Sequence, residues 1–158
     1  MHLDGSCHCG AVTFSVESAQ PVPFMRCYCS ICRKTAGSGG FAINLGADFK
    51  TLQVKQGRDH LAVYRANMQD GHTSTGERNF CKRCGTALWL WDPTWPDLVH
   101  PHAGAIDAPL PDPPSVTHMM LGSKPDWVQA HVKPGDASFD EYPDESLVDW
   151  HRRHGQTR

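Results

Sequence analysis

Apolar residues fall at every second position in several short stretches of this chain, and the three-to-four spacing of a surface helix is scarce. Val12, Phe14 and Val16 alternate with Thr13 and Ser15, which predicts a half-buried strand. Phe41, Ile43 and Leu45 repeat the pattern. Leu52–Val54 and Leu61–Tyr64 predict two more short strands, divided by the turn signal Gly57-Arg58-Asp59. Ala87-Leu88-Trp89-Leu90-Trp91 is a strongly apolar run, and Val116–Leu121 is a further strand candidate. Helix is predicted only as a short turn over Ile31–Lys34 and near the C-terminus. There Asp144 is the expected cap, Leu147, Val148 and Trp150 the packing residues, and His151-Arg152-Arg153 the C-terminal turn before Gly155. Pro109-Leu110-Pro111-Asp112-Pro113-Pro114 lacks the donors for regular structure and predicts a surface connection. The pattern predicts a mainly β fold of antiparallel strands with few short helices. Its expected division is a domain over residues 1–143 and a C-terminal helix and tail over 144–158.

Composition narrows the classes. With 158 residues, 39% hydrophobic and 20% charged, the chain is long enough for one real core and too apolar to be disordered. Lys and Arg number 15 against 17 Asp and Glu, a formal charge of −2, which gives no support for a nucleic-acid partner held through phosphates. No stretch reaches the ~18 apolar residues of a membrane helix, so no membrane partner is expected. The start, Met-His-Leu-Asp-Gly-Ser, shows no basic region followed by an apolar run, and a cytoplasmic location is the expectation.

The chemistry lies in the cysteines. All seven fall in three tight clusters: Cys7-His8-Cys9, Cys27-Tyr28-Cys29-Ser30-Ile31-Cys32, and Cys81-Lys82-Arg83-Cys84. An odd count, a reducing compartment and spacings of one or two residues argue against disulfides and for metal. Zinc takes a tetrahedron of thiolates at about 2.3 Å, with sulfurs about 3.8 Å apart. Gly5 and Gly10 permit the bend that Cys7-x-Cys9 needs, and Gly85 after Cys81-x-x-Cys84 completes a zinc-knuckle form. Cys7, Cys9, Cys81 and Cys84 would make a closed structural site, leaving Cys27, Cys29 and Cys32 as a three-ligand set with one position for water or substrate. Alternatively, those three recruit a histidine and close.

Other residues carry weaker signals. The ten histidines are individually better read as surface or hydrogen-bonded groups, His100, His102 and His118 included. Gly37-Ser38-Gly39-Gly40 lacks the lysine of a phosphate loop and reads as a flexible loop beside the metal cluster. Arg26, Arg33 and Lys34 surround the three-cysteine cluster; they are either solvated surface or a positive rim for an anionic ligand. Trp89, Trp91 and Trp95 are expected in core and loop packing.

Together these residues resemble the glutathione-dependent formaldehyde-activating enzymes, a family that includes centromere protein V. The resemblance rests on Gly5-Ser6-Cys7-His8-Cys9-Gly10-Ala11-Val12, Cys27-Tyr28-Cys29-Ser30-Ile31-Cys32-Arg33 and Phe80-Cys81-Lys82-Arg83-Cys84-Gly85-Thr86. Ala103-Gly104-Ala105-Ile106-Asp107 and Lys124-Pro125-Asp126-Trp127 extend it, with Ala105 where the family often has threonine. It implies an Mss4-like β fold and two zinc ions per chain. Matched by position, Cys7, Cys9, Cys81 and Cys84 hold the structural zinc, and Cys27, Cys29 and Cys32 the second. It also implies glutathione as partner and a carbon–sulfur lyase activity joining formaldehyde and glutathione to S-hydroxymethylglutathione. Arg33 and Lys34 are the expected contacts for glutathione's carboxylates. The alternatives are a small-thiol binding protein without catalysis, and a structural zinc module for protein association. The chromatin role of the centromere relative calls for a basic tail, whereas this end carries only Arg152, Arg153 and Arg158.

Overall fold

The computed structural model describes residues 1–155; Arg158 and the end of the expected tail lie outside the described residues. In chain order its elements are β1 (His2–Ser6), β2 (Thr13–Glu17), β3 (Phe24–Cys27), α1 (Ser30–Ala36), β4 (Ala42–Asn44), β5 (Ala47–Gln56), β6 (Leu61–Tyr64), β7 (Glu77–Cys81), β8 (Ala87–Trp91), β9 (Leu98–Pro101), β10 (Val116–Met119), β11 (Ala137–Ser138) and α2 (Leu147–Arg153). The fold is mainly β, as the alternation predicts, with two helices of seven residues each. Seven strands form one sheet in the order β1-β2-β5-β9-β8-β7-β6, antiparallel throughout. Four form a second sheet, β11-β10-β3-β4, in which β10 runs parallel to both neighbours. Parallel pairing needs a long crossover, and here the chain builds most of the large sheet between β4 and β10.

β2 is a strand as expected, but it is not half-buried. Val12, Phe14 and Val16 are at most 1% exposed, and Ser15 on the opposite face is buried too, so the strand is covered on both sides. Phe14 packs tilted against Trp89 with ring centroids 5.0 Å apart. Trp91 stacks on Phe49, and Trp95 meets His100 edge-on, which gives all three tryptophans the packing roles expected. The reading of Phe41-Ile43-Leu45 is corrected: Ala42 and Asn44 are buried while Phe41 and Ile43 are half-buried. The strands β1, β3, β7 and β9 show no clear apolar alternation in sequence, although β1, β3 and β9 bury every second residue.

At the C-terminus the cap is Ser146, not Asp144: its Oγ accepts from the Asp149 N–H at 3.1 Å. Trp150 is buried and Leu147 packs by Gly46, whereas Val148 stays 64% exposed and does not pack. His151 ties α2 to β3's approach by a 2.5 Å hydrogen bond to the Val22 carbonyl. Among the described residues no helix is long and apolar enough to cross a membrane.

Candidate metal centres and the cleft between them

Two turns converge at the edge of the large core. Cys7, Cys9 and Gly10 follow β1, and Cys81 ends β7, with Cys84 and Gly85 in the turn after it. Gly10 and Gly85 have φ of +73° and +77°, left-handed values that close each turn; Gly10 N–H donates to the Cys7 carbonyl and Gly85 N–H to the Cys81 carbonyl. The turns bring the Sγ atoms of Cys7, Cys9, Cys81 and Cys84 within 4.8 Å of one another. Cys7 and Cys9 are 3.6 Å apart and Cys9 and Cys81 3.9 Å, close to the separation tetrahedral zinc imposes. The Val12 N–H donates to Cys7 Sγ at 3.2 Å, and the Thr86 hydroxyl lies 3.2 Å from Cys84 Sγ. The Thr86 hydrogen bond, first among the causes, pulls the Cys84 thiol down to about 5. The donor set therefore fits a thiophilic metal.

The second group forms where β3 runs into α1. Cys27 ends the strand, Cys29 caps the helix, and Cys32 lies in its first turn; their sulfurs too fall within 4.8 Å. The Cys32 N–H donates to Cys29 Sγ at 3.3 Å. Cys27 and Cys32 are buried, Cys29 partly. Cys27 is pushed far up, chiefly by sharing its proton with Cys29, and Cys29 is held correspondingly low. Three sulfurs this close do not all ionise without a cation among them. No histidine or carboxylate joins the group among the described residues, so the alternative of a closing histidine finds no candidate. Arg78 of β7 brings a cation to these sulfurs, its guanidinium donating to Cys32 Sγ at 3.8 Å. Tyr142 also lies near enough for its hydroxyl to feel all three sulfurs, after burial the main influence raising it.

Tyr28 lies between two of these cysteines, and its side chain is fixed from below. His118 is fully buried; Tyr28 hydroxyl is 2.8 Å from His118 Nδ1, and His118 Nε2 is 3.3 Å from Asp136 Oδ2. A carboxylate only accepts, so Nε2–H donates to Asp136 and Nδ1 accepts from the tyrosine. Asp136 also accepts from the N–H groups of Val116 and Lys133.

A cleft separates the two centres. One cavity of about 420 Å³ is walled by α1's end and the Gly37–Gly39 loop on one side and by Thr86, Ala87 and Gly104 on the other. A second, of about 370 Å³, is lined by Tyr64, Arg78, Phe80 and Gly85. Thr35, Ala87 and His102 line both. Thus Arg78 joins the three-sulfur group to the cleft, and Thr86 joins the four-sulfur group to it. Arg33 and Lys34 sit on α1, half-buried and exposed, and neither lines the cavities. Arg78 and His102 escape sequence reasoning because no local spacing marks them: Arg78 lies three residues before Cys81 yet reaches the other, three-sulfur group, and the turn after β9 carries His102 to the cleft.

Residues 2–121 match the family model of the glutathione-dependent formaldehyde-activating enzymes. A Halomonas elongata protein, provisionally named a glutathione-dependent formaldehyde-activating enzyme, is 59% identical over 155 residues, 98% of each chain. A crystal structure of a Rhodobacter sphaeroides protein shares the fold at a TM-score of 0.53 and 24% identity, covering 88% of this chain and 99% of that one. With its cysteine turns, its cleft and these matches together, the chain belongs to the glutathione-dependent formaldehyde-activating enzyme family.

Proposed function

We propose that this protein joins formaldehyde and glutathione to S-hydroxymethylglutathione and catalyses the reverse carbon–sulfur cleavage. The carrying observation is Arg78, which touches the three-sulfur group and lines a cleft large enough for a tripeptide thiol. In this reading Cys27, Cys29 and Cys32 hold one zinc, and Cys7, Cys9, Cys81 and Cys84 hold a structural one, two per chain. A zinc held by Cys27, Cys29 and Cys32 would supply charge to keep a bound thiol in its nucleophilic form or to polarise an aldehyde oxygen. The protein's own residues do the rest. Arg78 supplies positive charge beside the sulfurs and an anchor for a carboxylate, with Arg33 and Lys34 as further attraction at the rim. Phe80, Tyr64 and Ala87 keep water from the reacting atoms. The catalytic unit is residues 1–143, with 144–158 as a C-terminal segment whose helix α2 packs against it, and the cytoplasm, where thiols stay reduced, suits seven free cysteines.

The test is the rate of S-hydroxymethylglutathione formation, followed by NMR on zinc-loaded protein against the uncatalysed background. Acceleration is expected; a rate equal to background would remove the catalytic reading. One observation favours capture of a small thiol without catalysis: no carboxylate lines either cavity, so no acid–base pair is evident. Glutathione binding without acceleration would select that reading.

A further inference from the structure

His102 is the one polar side chain shared by both cavities besides Thr35. It follows β9 and is 7% exposed. Its Nδ1 lies 3.1 Å from Asn44 Oδ1 on β4, across an isolated bridge between the two residues. An amide oxygen only accepts, so Nδ1 carries the proton and Nε2 is left as a bare acceptor. Nε2 has no protein partner among the described residues. Nor is it sealed: the only buried side-chain nitrogens or oxygens without a partner there are Arg26 Nε and Arg33 Nε. The surface His102 retains therefore opens on the cleft.

Its charge state is settled by its surroundings. Burial first, then the positive charge of Arg78 and the neighbouring His100, lower its pKa to about 4, so the ring stays neutral near pH 7. A neutral ring with Nδ1–H committed to Asn44 does not donate at Nε2. It accepts one hydrogen bond from whatever fills the cleft.

The nature of that donor follows from Arg78. A cationic ammonium beside a guanidinium is repelled, while a neutral N–H is not. His102 does not join the three-sulfur group, and Arg78 touches both the sulfurs' edge and the cleft, so His102 faces the body of a bound thiol rather than its reacting end. We propose that His102 is a specificity-determining residue whose Nε2 takes the hydrogen bond of a peptide N–H of the bound thiol, selecting amide-bearing thiols over simple ones. This rests on the reading of the cleft as the thiol's site.

The test uses zinc-loaded full-length protein, with glutathione and 3-mercaptopropionate, a carboxylated thiol without an amide, as probes in calorimetry. His102→Phe is expected to weaken glutathione roughly tenfold, the effect of one lost hydrogen bond, and to change 3-mercaptopropionate less than twofold. His102→Gln, which offers an acceptor again, is expected to recover most of the glutathione affinity. Zinc content and circular dichroism check that both variants are folded. Because His102 is buried, the wild type carries an independent readout: ¹⁵N NMR should show the Nδ1–H tautomer and a shift of Nε2 on saturation with glutathione. Wild type that binds glutathione without moving Nε2, an Nε2–H tautomer, or equal losses for both probes would overturn the proposal and leave the site intact. Wild type that binds no glutathione would overturn the parent reading and this one with it.

Discussion

Single residues divide here by what surrounds their polar atoms. The Asp136–His118–Tyr28 chain is buried and fully paired, so removing one member strands the others. His118→Ala is expected to cost about 1–3 kcal/mol in urea unfolding, from the unpaired tyrosine and carboxylate. His102 differs, because it is held neutral against its ordinary pKa of 6.5. The unfolded chain takes up a proton at that histidine as pH falls below about 6.5, and the folded one does not until about 4. Its contribution is thus complete above 6.5 and is lost as pH falls toward 4. Urea titrations of metal-loaded protein between pH 7 and 5 should show a smaller fall in stability for His102→Gln than for wild type; equal slopes would contradict the assignment. At the residue scale the cysteine spacing was legible in the chain, while Arg78 and His102 were not, since a side chain's use depends on what faces it.

At the level of elements, turns carry most of the specificity. The glycine after β5, Gly57, has φ of +77°, and a Cβ there would lie 1.8 Å from the Ala11 carbonyl oxygen. Gly57→Ala should cost about 2 kcal/mol or more, read as a lower urea midpoint, because both the backbone and the contact resist it. The two cysteine turns behave differently from each other. The turns after β1 and β7 join elements seventy residues apart in one sulfur group, whereas the three-sulfur group lies within one strand–helix junction. Cys81→Ser should therefore unfold or severely destabilise the chain, and Cys29→Ser should keep the circular dichroism of wild type while binding one zinc fewer. Collapse on Cys29→Ser would assign that group a structural role instead. Alternation foretold β2, and short apolar runs foretold β6 and the site of β8, yet neither gave warning of β3 and β7, the strands that aim Cys27 and Arg78. In β3 half-buried residues alternate with buried ones and in β7 half-buried residues lead to buried Cys81, and a two-residue period fades in sequence when neither face is wholly wet.

For the whole molecule, the cysteine groups and the cleft are one system. Thr86 contacts Cys84 on one side and lines the cavity on the other, so the four-sulfur group supports a wall of the cleft. Native mass spectrometry should find two zinc ions per chain. Graded chelation should remove glutathione binding before the fold melts, the three-ligand set yielding first because it has one protein ligand fewer. Loss of the fold at the first zinc would reverse that order. Local covalent pattern was enough to predict from the chain that the seven cysteines gather in a four-and-three division able to hold metal, and that the protein is built of short strands. Spacing within a few residues limits which sulfurs can share an ion, whatever the rest of the fold does. Where the cleft lies, that Arg78 touches Cys32, and that His102 turns a bare nitrogen into the cavity were decided only in three dimensions. Those relations join β7, α1, β4 and the turn after β9, and contacts between such distant segments arise from sheet order and shared burial, which no local spacing records.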